Sequence, residues 1–278
     1  MSGKVIHRKK DARHGRFVED MAGAIELIAK LSRRKFLQRA GLSAGALAGA
    51  AAGLLPAGRL LADEAVQTGK VYFPRLQFSV LDGTPDIWNV GPVGDANLRK
   101  QLSSLTNINI SNDPKVVRLA DFDDMCRNPF VFMTSEGFFK LPDNEEKNLK
   151  EFLERGGFVH ADDCVFAGKD DRFFRTYRDL MDKLFPDSPM RKIPDEHELY
   201  RIYFEFKPRP GKASPCPHMQ GVDHGAYGLF ERGTGRIMTI ATPGDLHCGW
   251  MDRYPFGDGG TMASIKMGIN IVIYFLSH

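Results

Sequence analysis

The sequence predicts an α/β protein: a mostly parallel sheet with helices on both faces. Three observations predict it. Predicted strands and helices alternate through residues 95–185, the pattern of βαβ units. The run FVFMT at 130–134 is almost continuously apolar, as in a strand covered on both sides. A helix ending in Glu154-Arg155-Gly156-Gly157 leads directly into a second apolar strand, FVHA at 158–161.

Taken in order, VYFPRLQF at 71–78 alternates as a strand, with Pro74 pointing to an edge or a bulge. A Gly/Pro/Asp-rich loop follows, containing Asp86-Ile87-Trp88-Asn89. Asp95 is placed to cap a helix bearing Leu98, Leu102 and Leu105. KVVRL at 115–119 is a short strand. Pro142 opens a helix whose first turn carries Asp143, Glu145 and Glu146, where acids favour the helix dipole. Leu149, Phe152 and Leu153 form its apolar face, and Gly156 ends it. The helix at 172–185 shows a full apolar stripe of Phe173, Tyr177, Leu180, Met181 and Leu184, which reads as core. LYRIYFEF at 199–206 alternates strictly and reads as a strand, as does RIMTIA at 236–241. The last segment, 262–276, has helical spacing at Ile265, Ile269, Val272 and Leu276.

The first 62 residues behave differently. Ser32-Arg33-Arg34-Lys35-Phe36-Leu37 precedes a weakly apolar Ala/Gly-rich run from Ala40 to Leu55. This resembles a twin-arginine export signal with an extended n-region; the run is too short and too poor in large aliphatic residues for a membrane span. The resemblance implies passage through the twin-arginine export machinery to the periplasm, or membrane anchorage where the signal is kept. The expected organisation is a signal over 1–62 and a single α/β domain over 63–278. The segment 1–62 holds 12 Lys+Arg against 4 Asp+Glu, and the remainder holds 26 against 31. The basic balance of the whole chain therefore belongs to the targeting segment. The remainder has no basic stripe with interleaved aromatics, which excludes nucleic acid as a partner.

In open parallel sheets ligands sit outside the carboxyl ends of the strands. The stretch Asp162-Asp163-Cys164 follows a buried strand and is expected at that rim, together with His197, His224, Asp245, His247 and Cys248. Trp88 and Trp250 read as exposed aromatics lining a groove. All four cysteines, Cys126, Cys164, Cys216 and Cys248, follow residue 62, and an oxidising destination permits disulfides.

The blocks PFVFMTSEG, ERGGFVHADDC, PDEHELY and PGDLHCGW together resemble the bacterial family known as domain of unknown function 4159. The resemblance runs from about Tyr72 to the C-terminus. Its landmarks read here as Gly156-Gly157-Phe158 with Asp162-Asp163-Cys164, Glu196-His197 with Tyr200, and Asp245 with Cys248-Gly249-Trp250; the acid before His197 is Glu. The resemblance implies a flavodoxin-like or class I glutamine amidotransferase-like three-layer sandwich. It also implies partners among MoxR-type ATPase systems, beside which some members occur. It implies no reaction.

Three functional readings follow. The favoured one is a ligand-binding or assembly module, in which Asp162 and Asp163 hydrogen-bond backbone amides, Cys164 and Cys248 pair as a disulfide, and His197 fixes its own loop. The runner-up is a metal-dependent hydrolase holding zinc or iron through donors drawn from Asp162, Asp163, His224, Asp245, His247 and Cys248, where a cation would offset the paired acids. The third is an amidotransferase-like hydrolase with Cys164 as nucleophile and His247 or His224 as base. Against it, Asp163 and Val165 stand where a nucleophile turn needs small residues, and neighbouring carboxylates would raise the thiol pKa.

Overall fold

In the computed structural model, residues 70–80, 87–165, 171–251 and 257–278 are described. The expected export segment, 1–62, lies outside them. Among the described residues no helix is long and apolar enough to cross a membrane.

Seven strands form one sheet: β1 (Arg75–Gln77), β2 (Val116–Arg118), β3 (Phe130–Ser135), β4 (Phe158–Asp163), β5 (Arg191–Lys192), β6 (Tyr227–Phe230) and β7 (Ile237–Thr242). Their order is β2-β1-β3-β4-β7-β6-β5. β2, β1, β3, β4 and β7 are mutually parallel, and β6 and β5 add an antiparallel margin beyond β7. The helices are α1 (Pro92–Leu105), α2 (Phe122–Arg127), α3 (Asp143–Glu154), α4 (Arg172–Leu184) and α5 (Gly257–Ser277).

The period-2 alternation of the central strands builds two cores. Phe130, Phe132, Phe158 and Ile240 point to one face and pack with Leu98 and Leu102 of α1 and Ile265, Ile269 and Val272 of α5. Val131, Met133, Val159 and Ala161 point to the other and pack with Leu149 and Phe152 of α3 and Phe173 and Tyr177 of α4. Every residue of β3 and β4 is buried, which is why their sequences are so nearly continuous in apolar residues. The architecture is a three-layer α/β sandwich, as the sequence predicts.

Three expectations are corrected. β1 lies inside the sheet, between β2 and β3, not at an edge. Pro74 is tolerated because it precedes the strand and only its carbonyl is used, accepting the Phe132 amide at 2.9 Å. Residues 199–206 do not form a strand. A 3-10 turn at Glu198–Tyr200 leads into bends, and buried Asn270 of α5 supplies the hydrogen bonds a neighbouring strand would give. Its side chain donates to the carbonyls of Leu199 and Phe204 and accepts the Phe204 amide, all at 2.8–2.9 Å. The alternation there reflects Tyr203, Phe204 and Phe206 packing against the α1/α5 core. Finally, Asp95 lies inside the first turn of α1. The cap position is Gly91, in the left-handed region at φ 52.

Candidate functional site: a thiol and carboxylate cluster at the carboxyl edge

β4 extends through both aspartates, and its alternation separates them. Asp162 shares a face with His160. Its Oδ1 accepts the Leu246 amide and its Oδ2 the His247 amide, each at 3.0 Å, and the Thr242 hydroxyl also donates to it. Asp163 points to the opposite face, where Oδ2 accepts the amide of Phe174 in the first turn of α4 at 2.8 Å. Its Oδ1 has no hydrogen-bond partner. Burial pushes the Asp163 carboxyl up to about 8. Burial, then the Asp245 charge, raises Asp162 well above the ordinary carboxylate range. The two acids are therefore not a pair facing one ligand, as the metal reading took them to be. Each is buried and ties a separate loop or helix end to the sheet.

After β7 the chain turns through Pro243-Gly244-Asp245. Asp245 has φ 57, the one positive φ outside glycine among the described residues. Aspartate is among the few residues that adopt this conformation at modest cost. The turn brings the Asp245 carboxyl back over its own loop: Oδ1 accepts the Cys248 amide at 3.3 Å, and Gln220 donates to Oδ2. Cys164 leaves the end of β4 next door. One donor atom each from Cys164, Asp245 and Cys248 lie within 4.8 Å of one another, and all three residues are buried. The two sulfurs are 3.9 Å apart and all four cysteines are free thiols. The expected Cys164–Cys248 disulfide is therefore not formed, since a bond requires about 2.05 Å.

Behind this cluster lies a second set of groups. Arg75 of β1 grips Asp95 with two hydrogen bonds, Nε to Oδ2 at 2.9 Å and a terminal nitrogen to Oδ1 at 2.6 Å. Its other terminal nitrogen donates to the carbonyls of Trp88 and Val90. His247 Nε2 sits 3.1 Å from Asp95 Oδ1. Ionised Asp95 can only accept, so this closer contact assigns the proton to Nε2, although an Arg75 terminal nitrogen also lies 3.3 Å from it. Nδ1, fully buried, has no hydrogen-bond partner. The ring is wedged between Phe132 and Trp250, with centroids at 5.3 and 5.4 Å. Gly94 is required where α1 passes it: a Cβ there would stand 2.8 Å from Nε2.

The electrostatics follow from these contacts. Burial alone would lower the His247 pKa, but the hydrogen bond to Asp95 and the interaction with the Cys164 thiol raise it to about 9. Burial likewise opposes ionisation of Asp95, yet His247 and then Arg75 hold it below its ordinary value. Cys164 is lowered to about 7, first by the hydrogen bond from Cys248 and then by His247. A neighbouring carboxylate, Asp245, does raise this thiol as expected, but the Cys248 and His247 contacts outweigh it. Cys248 is pushed up by the same thiol contact and by burial. Burial raises Asp245.

Other predicted site residues fall elsewhere. His197 belongs to the opposite end of the sheet, caps its own 3-10 turn through Nδ1 at 3.2 Å, and packs on Phe230 and Tyr274. The Tyr274 hydroxyl accepts the amide of Ile237, where β7 begins. His224 is engaged by Asp171 at 2.8 Å and stacks near Phe174 at the start of α4. Trp250 lines no groove: it is fully buried, and its indole donates to the Ser264 carbonyl at 3.0 Å. Sequence reasoning missed Arg75, Asp95 and Gln220 as parts of the site. The usable signals were an arginine inside an apolar strand and an aspartate one turn into a helix opened by Gly-Pro.

No curated protein matches the chain. A family model matches residues 73–276, from just before β1 to the last turn of α5. The chain belongs to the family described as a domain of unknown function, DUF4159.

Proposed function

We propose that the protein is a metal-binding module holding one borderline divalent ion, zinc or iron(II), through Cys164, Asp245 and Cys248. The observation that carries this reading is the convergence of two thiols and a carboxylate within 4.8 Å. Two thiolates on a tetrahedral zinc, each at about 2.3 Å, stand about 3.8 Å apart. The sulfurs here are 3.9 Å apart, close to what such an ion needs and far from a disulfide. The Ser-Arg-Arg-x-Phe-Leu stretch near the start supports a periplasmic setting reached by twin-arginine export. Partners among MoxR-type ATPase systems rest on the family resemblance alone.

The test is metal analysis of protein exported by its own signal, alongside Cys164→Ser, Cys248→Ser and Asp245→Ala. One equivalent of zinc or iron in the parent and loss in the variants is the expected result. Less than a tenth of an equivalent in the parent would remove the reading.

A second reading has one observation in its favour: Cys164 at about 7 and His247 at about 9 would coexist as thiolate and imidazolium near neutral pH, the pair a cysteine nucleophile uses. Against it, Cys164 continues the line of β4 with its amide spent on the Ser135 carbonyl at 3.1 Å. The strained backbone belongs to Asp245, not to the thiol.

A further inference from the structure

Resting on the metal reading, we infer that Gln220 is the positioning residue of the centre: its side-chain amide holds the Asp245 carboxyl for the ion and ties it to the chain leaving Cys164. Gln220 is not itself a ligand. It acts through Asp245.

The geometry is a two-point bridge. Gln220 Nε2 donates to Asp245 Oδ2 and to the Val165 carbonyl at 3.1 Å. Val165 directly follows Cys164, and Asp245 stands three residues before Cys248. One amide group therefore spans the two loops that carry all three donors. A backbone carbonyl can only accept, so the Val165 contact fixes which end of the amide is the nitrogen. The second N–H is then left for Asp245.

Asp245 needs such a donor. Within its own loop the carboxyl holds only the Cys248 amide, at 3.3 Å, beyond the usual range for an N–H···O bond. Carboxylates that ligate a metal are themselves hydrogen-bonded by outer groups, which fix their orientation. Gln220 supplies that bond from outside the loop. A side chain that merely filled this space would need no donor, and an apolar one would leave Asp245 Oδ2 and the Val165 carbonyl without it.

The segment carrying Gln220 is fastened across both loops by its backbone. The Met219 amide donates to the Gly244 carbonyl at 2.8 Å, and a Cβ on Gly244 would stand 3.2 Å from the His218 Cα. His218 Nε2 closes the turn on the Gly221 carbonyl at 3.1 Å. Gly221, with φ 80, lies against Val165: an added Cβ would be 3.0 Å from its Cγ2. None of these contacts uses the Gln220 side chain, so replacing that side chain leaves the segment seated and isolates the amide.

Cobalt(II) titration of the whole protein tests this, comparing the parent with Gln220→Leu and Gln220→Ala and checking each fold by circular dichroism. The two variants remove the donor, one keeping bulk and one losing it. Both should bind cobalt about 10- to 100-fold more weakly than the parent, by similar factors. Thiolate-to-cobalt absorption per bound ion should stay at the parent value, because Cys164 and Cys248 remain. Unchanged affinity, or weakening in only one variant, would show that the side chain fills space, and overturns the inference. Loss of the thiolate absorption, loss of all uptake, or failure of both variants to fold overturns it too, by making Gln220 part of the scaffold. Each of these leaves the metal reading intact. No cobalt or zinc uptake by the parent defeats the metal reading itself, and this inference with it.

Discussion

The Asp162 carboxylate accepts the His247 amide at 3.0 Å, so the end of β4 holds the loop that follows β7. The same carboxylate takes the Leu246 amide. Two chain segments far apart in sequence thus meet on one side chain, and the thiol of Cys164 is delivered to Asp245 and Cys248 by that meeting.

Removing this pin should cost both stability and the site. Asp162→Ala strands two buried amides and the Thr242 hydroxyl, at about 1–3 kcal/mol for each unsatisfied group. Urea unfolding is expected to show a loss of about 3 kcal/mol or more, with metal uptake falling in parallel. Asp162→Asn keeps an acceptor oxygen and should lose less than half as much. Equal losses in the two variants would mean that the carboxyl does not hold the loop.

The Arg75–Asp95 pair is almost completely buried, with side chains 4 and 6 % exposed. Deleting one partner leaves the other charged in the interior, at about 3–5 kcal/mol. Arg75→Met is expected to destabilise the fold by that amount. A change under about 1 kcal/mol would show that water reaches the pair.

Gly94→Ala adds a single methyl 2.8 Å from His247 Nε2 and 3.2 Å from its carbonyl. The ring is held by Phe132 and Trp250 and has nowhere to retreat. Overpacking of this kind costs about 1–3 kcal/mol. Unchanged stability would contradict the close approach.

Thiol reactivity should sort by environment. In metal-free protein at pH 7.5, iodoacetamide is expected to label Cys164 first, because its pKa lies at about 7 while Cys126 is pushed up to about 11 and burial raises Cys216. Zinc should protect it. Peptide mapping that finds Cys126 labelled faster would refute the ordering.

His160 predicts an acid limb of stability. It is fully buried, and burial, then the nearby His247, lowers its pKa to about 3 from an ordinary 6.5. Between those values the unfolded chain carries a proton that the folded chain refuses. Stability therefore falls as pH drops from 6.5 toward 3, by up to about 1.4 kcal/mol per pH unit from this group. His160→Gln should flatten that part of the curve. An unaltered slope would place the acid sensitivity elsewhere.

Much of the fold was legible because burial writes a local pattern. FVFMT and FVHA are continuous in apolar residues because helices cover both faces of β3 and β4. The stripes at Leu149–Leu153 and Phe173–Leu184 mark helices that cover one of them. LYRIYFEF misled for the same reason. Its alternation records packing on α5, while Asn270, a residue far along the chain, took the hydrogen bonds that would have made it a strand.

The sequence by itself determined the layered α/β architecture and the kinds of donors gathered near the ends of β4 and β7, since both follow from short-range periodicity and from parallel strands releasing their chains on one side. Only the tertiary structure decided which donors meet. It turned Asp162 and Asp163 to opposite faces because β4 runs two residues further than its apolar run, and it sent His197 to the far end and Trp250 into the core. It also joined Arg75, Asp95 and His247, whose contacts depend on the register of β1 against β3 and on the close pass of α1, geometry that no local pattern encodes.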